Sequence, residues 1–323
     1  MKKPEKILVT GGAGFIGSHL IDRLLELGNK VICIDNFDPF YNIELKKRNI
    51  RTHLTNPDYT LYEEDIRNIS QIDKIFENTK PDIVIHLAAK AGVRPSVENP
   101  KEYNDVNING SLNILQACVK HNVNKLINGS SSSVYGLNKN IPFKESDSLN
   151  LIASPYAAAK LSVEGLCHTF NNIYQLPIIN LRFFTVYGQR QRPALAIMKF
   201  MTMILNEEPI SIYGDGNSSR DYTFVKDIIN GIINALKYNE TKYEVFNLGN
   251  SSPIKLIDLV REIEIALNKK ATLIFEPIQK GDVPTTFADI QKSKLKLKYN
   301  PKTEIKKGLL EMAEWVIKNE HTN

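Results

Sequence analysis

The chain has 323 residues, of which 42% are hydrophobic and 24% are charged, and it carries a formal net charge of +5. This composition predicts one enzyme-sized folded unit with a large core and excludes a disordered or fibrous chain. No apolar run approaches the ~18 residues of a membrane span, and too few residues precede the first predicted strand to form a signal peptide, so we expect a cytoplasmic protein with no membrane partner.

The N-terminal segment predicts a strand, a tight turn and a helix. The apolar run at residues 7–10 leads directly into a turn in which Gly11, Gly14 and Gly17 are spaced three residues apart. The first glycine permits the turn, the second lets the backbone approach a pyrophosphate, and the third lets the helix pack on the strand. The helix N-terminus then faces the phosphates, so the segment predicts a dinucleotide-binding turn.

A second predicted strand, at residues 31–34, ends in Asp35. An acidic residue about 20 positions beyond such a glycine turn hydrogen-bonds a ribose 2′-hydroxyl and repels a 2′-phosphate. The next residue is Asn36 and not an arginine that could accept NADP. The segment therefore predicts NAD as the cofactor; the alternative is that Asp35 only caps the following loop.

Farther along the chain, strand-like apolar runs alternate with helical patterns. The predicted strands and long helices are the strands at 83–87, 125–127 and 178–181 and the helices near 99–121 and 155–174. Such alternation predicts an α/β fold with a Rossmann-type, doubly wound parallel sheet. After about residue 184 the segments are shorter and richer in turns, so we expect a smaller C-terminal mixed α/β lobe that binds the substrate.

Tyr156 and Lys160 stand four residues apart in the helix predicted at 155–174. The pKa of a phenol in water is about 10, so a tyrosine is a poor base at neutral pH unless a nearby cation stabilises the phenolate. Positions i and i+4 share one helix face, so Lys160 can be that cation and can also reach a cofactor ribose. The pair alone is typical of an ordinary solvated helix face, but behind a dinucleotide-binding turn it predicts a redox enzyme.

The cysteines and histidines form no metal-ligand pattern. Cys33, Cys118 and Cys167 are scattered through apolar segments, which is typical of reduced, buried thiols. The six histidines form no pair or cluster with ligand spacing, so we expect no metal. Basic residues form no block among aromatic residues, so the positive charge favours an anionic small substrate over nucleic acid.

Over nearly its whole length the chain resembles the extended short-chain dehydrogenase/reductases that act on nucleotide sugars. The motifs that carry the likeness follow the family's order and lie at 11–17, 65–66, 86–89, 130–136, 156–160, 220–222 and 281–284. Within the family the chain is most similar to the UDP-glucuronate 4-epimerases, on the stretches 86–94, 131–138 and 181–188. The resemblance implies a NAD-binding Rossmann domain at 1–183, which also receives parts of about 222–255. It implies a discontinuous nucleotide-sugar-binding lobe, mainly 184–323.

The resemblance also implies a set of cofactor contacts. Asp65 and Ile66 would flank the adenine, and the turn at Ala88 and Ala89 would lie near the phosphates and the ribose. The full expected set is Gly11, Gly14, Phe15, Ile16, Gly17, Asp35, Asn36, Asp65, Ile66, Leu87, Ala88, Ala89, Tyr156 and Lys160.

The reaction implied by the resemblance is a there-and-back oxidation at C4 of a UDP-sugar. Tyr156 takes the proton of the C4 hydroxyl while the C4 hydride passes to NAD, the 4-keto sugar turns about its diphosphate, and the hydride returns to the other face. Ser131 occupies the family's Ser/Thr position and would hydrogen-bond the reacting oxygen. Related dehydratases and decarboxylases place an acidic residue one or two positions later, where this chain has Ser132 and Ser133.

For the sugar carboxylate, the resemblance points to Thr185 and Arg192, with Ser132 and Ser133 nearby, since arginine offers a carboxylate a bidentate fork. The segment 189–193 reads Gln-Arg-Gln-Arg-Pro in place of the more typical Pro-Trp-Gly-Arg-Pro. Two arginines leave the register open: Arg192 is favoured because Pro193 follows it, Arg190 is the alternative, and either arginine could instead be simply exposed.

The nucleotide end is expected to contact Arg220 and Arg94 through the diphosphate and Asp282 through the ribose. Asp282 could instead be a plain turn residue, and Arg220 could pair with Asp221 or Asp227 at the surface.

The leading hypothesis is therefore a NAD-dependent 4-epimerase that converts UDP-glucuronate to UDP-galacturonate. The same chemistry would serve UDP-glucose, UDP-N-acetylglucosamine or an N-acetylated UDP-uronate. A non-catalytic dinucleotide-binding sensor is the alternative from another class, although such proteins commonly lack the Tyr/Lys pair. The likeness also implies a homodimer through the helices near 99–121 and 155–174, whose apolar positions fit equally well on the monomer's own core.

Overall fold

The computed structural model describes residues 5–277 and 283–320. Its strands are β1 (Lys6–Thr10), β2 (Lys30–Ile34), β3 (Tyr59–Tyr62), β4 (Ile83–His86), β5 (Lys125–Ser131), β6 (Ile178–Phe183), β7 (Thr185–Tyr187), β8 (Ile210–Tyr213), β9 (Ser219–Phe224), β10 (Tyr243–Leu248), β11 (Pro253–Lys255) and β12 (Leu273–Glu276). Its α-helices are α1 (Phe15–Glu26), α2 (Ile43–Ile50), α3 (Ile69–Thr79), α4 (Val93–Glu98), α5 (Pro100–Asn104), α6 (Gly110–Lys120), α7 (Pro155–Tyr174), α8 (Ala196–Leu205), α9 (Val225–Lys237), α10 (Leu256–Leu267), α11 (Gln291–Leu297) and α12 (Ile305–Glu320). A π-helical segment, Asp105–Asn109, joins α5 to α6.

Seven strands form one wholly parallel sheet in the order β3-β2-β1-β4-β5-β6-β10. The strands are buried on both faces, as in β1, where Ile7, Leu8 and Val9 are inaccessible to solvent. Helices α1 and α9 cover one face, and α3, α6 and α7 cover the other. This arrangement confirms the predicted α/β fold with a Rossmann-type, doubly wound parallel sheet. The chain reverses direction across the sheet between β1 and β4, which is where such sheets bind their ligands.

The later part of the chain builds a smaller mixed lobe. Strands β11, β9 and β7 form a three-stranded sheet, and β12 pairs with β8. Helices α8, α10 and α12 pack with these strands around a separate core that contains Met201, Phe224 and Leu259. Within this stretch the chain returns to the large sheet, since β10 pairs with β6 and α9 packs on the sheet's face.

The described residues also bear on the expectations about membranes, metals and thiols. Among them, no helix combines the length and the apolarity that crossing a bilayer requires. In the same part of the chain no group of three or more His, Cys, Asp or Glu side chains could hold a metal ion. Cys33, Cys118 and Cys167 are buried free thiols.

Candidate active site

A cleft of about 340 Å³ opens at the carboxyl ends of β1, β2, β4 and β5, on the side of the smaller lobe. Every residue that the sequence predicts to contact the cofactor lines this cleft. So do Ser131, Thr185 and Arg192 from the other predicted sets. The structure thus brings together predicted residues that lie far apart in the chain, from Gly11 to Arg192.

The glycine turn leaves space where side chains would close it. Gly11 has φ +71°, and a Cβ atom there would lie 2.8 Å from the backbone nitrogen of Ala88. A Cβ atom on Gly17 would lie 2.2 Å from the carbonyl oxygen of Gly11. Helix α1 begins after Gly14, which provides no side-chain cap, so its first N–H groups remain available to an anion. The turn fits the pyrophosphate of a dinucleotide.

Asp35 lies at the end of β2 with its carboxylate in the cleft wall. Its oxygens accept hydrogen bonds from the backbone N–H groups of Ala13, at 3.0 Å, and Phe37, at 2.9 Å. Burial raises the pKa of Asp35, and Lys46, whose Nζ lies 4.0 Å from Oδ1, acts in the opposite direction. A carboxylate here suits a ribose diol and disfavours a 2′-phosphate, so the residues fit NAD.

Two residues that the sequence did not reveal, Arg67 and Gly110, contact Asp65 and Ile66 of the cleft wall. Arg67 donates to both carboxylate oxygens of Asp65, at 3.0 and 2.8 Å, and holds the pKa of that carboxyl down to about 2. Asn36 donates to the same carboxylate at 2.8 Å. Gly110, on α6, allows that helix to approach the buried Ile66, since a Cβ atom would lie 2.5 Å from its Cδ1. Arg67 lies two residues after Asp65, which is the only sequence signal for it.

Tyr156 lies in the first turn of α7, which Ser154 caps by accepting from the N–H of Ala157 at 3.2 Å. Burial raises the pKa of the Tyr156 phenol, while a hydrogen bond with the Ser131 hydroxyl and the charge of Arg192 lower it. The phenol of Tyr156 and the hydroxyl of Ser131 therefore contact each other in the wall of the cleft.

Lys160 is buried one turn farther along α7, and its ammonium donates to the carbonyl oxygen of Gly129 at 2.6 Å. Burial lowers its pKa to about 8, and Cys167 and Glu164 partly offset that effect. The carbonyl of Gly129 thus fixes the ammonium in the cleft wall. The groups that lower the pKa of Tyr156 are Ser131 and Arg192, and Lys160, which the spacing predicted as the cation beside the phenol, is not among them. The reason is that the Lys160 ammonium is directed to the carbonyl oxygen of Gly129.

A buried ion pair behind the cleft joins α7 to β6, and a hydrogen bond to the same carboxylate joins α7 to β5. Glu164 accepts from Arg182 at 2.7 and 3.0 Å and from the hydroxyl of Ser130 at 2.5 Å. Arg182 also donates to the hydroxyl of Tyr135 at 3.0 Å. The network holds the residue before Ser131 against the helix that carries Tyr156 and Lys160. Sequence reasoning missed it, although Glu164 is four residues after Lys160 on the same helix face.

Tyr103 is a further residue of the site without a sequence signal. Its buried ring packs edge-on against Tyr156, with 6.2 Å between ring centroids, and its hydroxyl donates to the carbonyl oxygen of Ala91 at 3.2 Å. The guanidinium of Arg192 donates to the same oxygen at 3.2 Å. Tyr103, which packs on Tyr156, therefore shares its hydrogen-bond acceptor with Arg192.

The structure separates the two arginines that the sequence left open. Arg192 lines the cleft, where its guanidinium also lies 5.6 Å from the ring centroid of Phe40. Arg190 points away from the cleft and pairs with Asp22 on α1 at 2.8 Å. Thr185, at the start of β7, lines the cleft with Arg192.

Four of the predicted substrate residues do not line the cleft in this structure. Ser132 and Ser133 belong to the short helical turn after β5, and the Ser133 hydroxyl accepts from Ser131 at 3.1 Å. Arg94 lies over the ring of Tyr213 at 4.9 Å. Arg220 donates to backbone carbonyl oxygens in its own lobe, the nearest at 2.8 Å.

Two further predictions concern acidic residues near the nucleotide end. Asp282 lies outside the described residues. Asp221 is buried and accepts from three backbone N–H groups, including that of Ala288 at 3.0 Å. Asp227 accepts from the backbone N–H groups of residues 302 and 303. Asp221 and Asp227 thus accept hydrogen bonds from backbone N–H groups. Arg220, for which the sequence offered these two carboxylates as partners, donates to backbone carbonyl oxygens instead.

Comparisons with known proteins agree with this geometry. A family model described as GDP-mannose 4,6 dehydratase matches residues 8–312. The chain is 39% identical to a UDP-glucuronate 4-epimerase of Thermodesulfobacterium geofontis, over 97% of this chain and 96% of the relative. It is 36% identical to the crystal structure of UDP-glucuronic acid 4-epimerase from Bacillus cereus in complex with UDP-glucuronic acid and NAD, with a TM-score of 0.91 and coverage of 97% and 99%. It is 35% identical to UDP-N-acetylglucosamine 4-epimerase from Methanobrevibacter ruminantium in complex with UDP-N-acetylmuramic acid, with a TM-score of 0.89 and coverage of 98% and 99%.

Proposed function

Since the chain belongs to the GDP-mannose 4,6-dehydratase family, and within it to the NAD-dependent UDP-sugar 4-epimerases of the extended short-chain dehydrogenase/reductase type, we propose that it interconverts UDP-glucuronate and UDP-galacturonate. The class of enzyme is an isomerase. The observation that carries the choice of an acidic sugar is the position of Arg192, a guanidinium in the wall of the cleft beside Thr185. A planar fork of this kind matches a carboxylate and has no equal partner on a neutral hexose.

In this proposal Tyr156 handles the proton of the C4 hydroxyl. The phenolate accepts the proton as the C4–H bond breaks, and the phenol returns it to the oxygen when the sugar is reduced on its other face. NAD, when bound, supplies the chemistry of accepting and returning the hydride. Ser131 donates a hydrogen bond to the same sugar oxygen, the charge of Arg192 favours the phenolate, and the Lys160 ammonium contacts the ribose.

The acidic sugar imposes a second requirement. Its 4-keto form is a β-keto acid, which loses CO2 easily when the electrons of the bond to the carboxylate move toward the ketone. The site must therefore stabilise the carboxylate as an anion and must not promote this loss. Around Tyr156 the proposed contacts are the hydroxyls of Ser131 and Thr185 and the guanidinium of Arg192. Ser132 and Ser133 stand where elimination would need an acid or a base, which supports epimerisation as the outcome.

The oligomeric state is part of the proposal. We expect a homodimer that pairs α7 and the continuous helix from α5 to α6 with their copies. The measurement is the molar mass in solution by light scattering, where a dimer gives twice the chain mass of 36.6 kDa.

Proton NMR of the purified protein tests the proposed substrate. UDP-glucuronate, UDP-glucose and UDP-N-acetylglucosamine are supplied separately, and the anomeric signals are followed for the C4 epimer. UDP-galacturonate from the first sugar alone is the expected result. Epimerisation of only the neutral or N-acetylated sugars would overturn the acidic specificity, and a pentose product with release of CO2 would contradict the proposed role of the serines. No change with any sugar would favour the non-catalytic alternative.

A further inference from the structure

The loop at residues 188–192, here called the arginine loop, directs its two arginines to opposite sides. Arg190 has φ +60°, a left-handed conformation that residues with a side chain seldom adopt, and Gly188 has φ +144°. This reversal sends Arg190 outward to α1 and Arg192 into the cleft. Something must hold an arginine in a conformation that it does not prefer on its own.

Helix α1 supplies two contacts that hold the loop. The guanidinium of Arg190 donates to Asp22 at 2.8 Å, and both side chains are about three-quarters buried, with 24% and 28% exposed. Asp22 is itself oriented by His53, whose Nε2 lies 2.6 Å from the other carboxylate oxygen. One turn earlier, Nε2 of His19 lies 2.9 Å from the carbonyl oxygen of Gln189. Burial lowers the pKa of His19 to about 4, so the ring is neutral and donates this bond through Nε2–H.

The residue between the two arginines is fixed as well. Gln191 is buried, its amide donates to the carbonyl oxygen of Val186 at 3.0 Å, and its amide oxygen accepts from the N–H of Met198 at 3.1 Å. These bonds tie the arginine loop to β7 and to α8. Since Arg192 follows directly, its direction depends on the loop staying in this conformation.

We propose that Arg190 and Asp22 are positioning residues, whose ion pair holds the arginine loop reversed and thereby aims Arg192 at the substrate. The inference rests on the proposed role of Arg192 and extends it, because it makes substrate selection depend on the outer face of the cofactor-binding helix. Helix α1 would then have two roles: its N-terminus contacts the dinucleotide, and its outer face holds the arginine loop, whose Arg192 binds the sugar carboxylate.

The test begins with Arg190→Gly, because glycine adopts φ +60° without strain, so the variant removes the guanidinium and keeps the backbone conformation available. Asp22→Asn removes the same pair from the helix side. Arg23→Gln is the matched control, since Arg23 lies next to Asp22 on α1 but pairs with Glu26 at the exposed surface. We expect the first two variants to raise KM for UDP-glucuronate by about fivefold or more with kcat within about twofold, and the control to change neither.

A double-mutant cycle with Arg192→Ala separates positioning from general stabilisation. If Arg190 acts only through Arg192, Arg190→Gly has no further effect on KM in the Arg192→Ala background. Losses that simply add, or an unchanged KM in both single variants, would overturn the inference while the proposed function stands. Should Arg190→Gly fail to fold, Asp22→Asn completes the same cycle. A wild-type protein that does not epimerise UDP-glucuronate would overturn the proposed function, and this inference with it.

Discussion

Replacement of Arg192 by alanine is expected to impair recognition of the acidic sugar and to alter the titration of the catalytic phenol. One N–H of the guanidinium donates to the carbonyl oxygen of Ala91, and within residues 5–277 and 283–320 the other N–H groups have no acceptor, so they can serve a carboxylate. Hydrogen bonds to charged groups contribute about 1.5–3 kcal/mol, which corresponds to a rise in KM for UDP-glucuronate of about 10- to 150-fold. UDP-glucose has no carboxylate, so its KM should change far less.

The second effect concerns Tyr156. Arg192 lowers the pKa of this phenol, so its removal raises that pKa further above the ordinary value. In the proposed reaction the phenolate is the base, so the rate falls on the acid side of the pH profile as the phenol becomes protonated. In Arg192→Ala this acid limb should therefore move to higher pH for both sugars. Arg192→Lys keeps a charge but loses the planar fork, so it should shift the limb less and still raise KM for UDP-glucuronate.

The assay is the initial rate of epimerisation of each sugar across pH, followed by NMR for wild type, Arg192→Ala and Arg192→Lys. Retained NAD and an unchanged melting temperature are the controls for folding. An equal rise in KM for UDP-glucuronate and UDP-glucose would refute the role of Arg192 in binding the carboxylate. An acid limb that stays in place in Arg192→Ala would refute the electrostatic link to Tyr156.

Three further predictions concern the catalytic pair and the glycine turn. Tyr156→Phe keeps the ring contact with Tyr103, so we expect turnover to fall about 10²- to 10⁴-fold with NAD still bound; near-normal turnover in the NMR assay would be inconsistent with its role. Gly17→Ala places a Cβ atom 2.2 Å from a backbone oxygen, which should cost about 1–3 kcal/mol in urea unfolding and release NAD; wild-type stability and NAD content would contradict the close packing. Burial lowers the pKa of Lys160 to about 8, so its ammonium loses its proton at a lower pH than an ordinary lysine and turnover should decline above about pH 8; a rate that stays flat to pH 10 would argue against a need for that charge.

Local sequence patterns predicted the parts of the site that depend on neighbouring residues. Residue spacing within a short stretch of chain predicts the glycine turn, the acidic end of β2 and the long helix α7. The helix predicted at 155–174 has the same bounds as α7. Strand β5 was predicted at 125–127 but continues to Ser131. Its polar continuation is stabilised by partners distant in sequence, since Asn128 bonds Asn180 and Ser130 bonds Glu164.

The remaining residues of the site could not be predicted for the same physical reason. Lys46 reaches Asp35 only because α2 folds back over the cleft, and Tyr103 meets Tyr156 only through the packing of α5 on α7. The choice between Arg190 and Arg192 depends on one backbone angle, the left-handed φ of Arg190. A sequence with arginine at both positions does not specify that angle.

The most direct test of the central claim follows the hydrogen at C4 of the sugar. The protein is incubated in ordinary water with UDP-glucuronate that carries deuterium at C4, and the product is examined by NMR and mass spectrometry. The account predicts UDP-galacturonate that retains the deuterium at C4, because the hydrogen leaves and returns within the closed site and only the hydroxyl proton passes through Tyr156. A product with protium at C4, or no galacturonate at all, would contradict it.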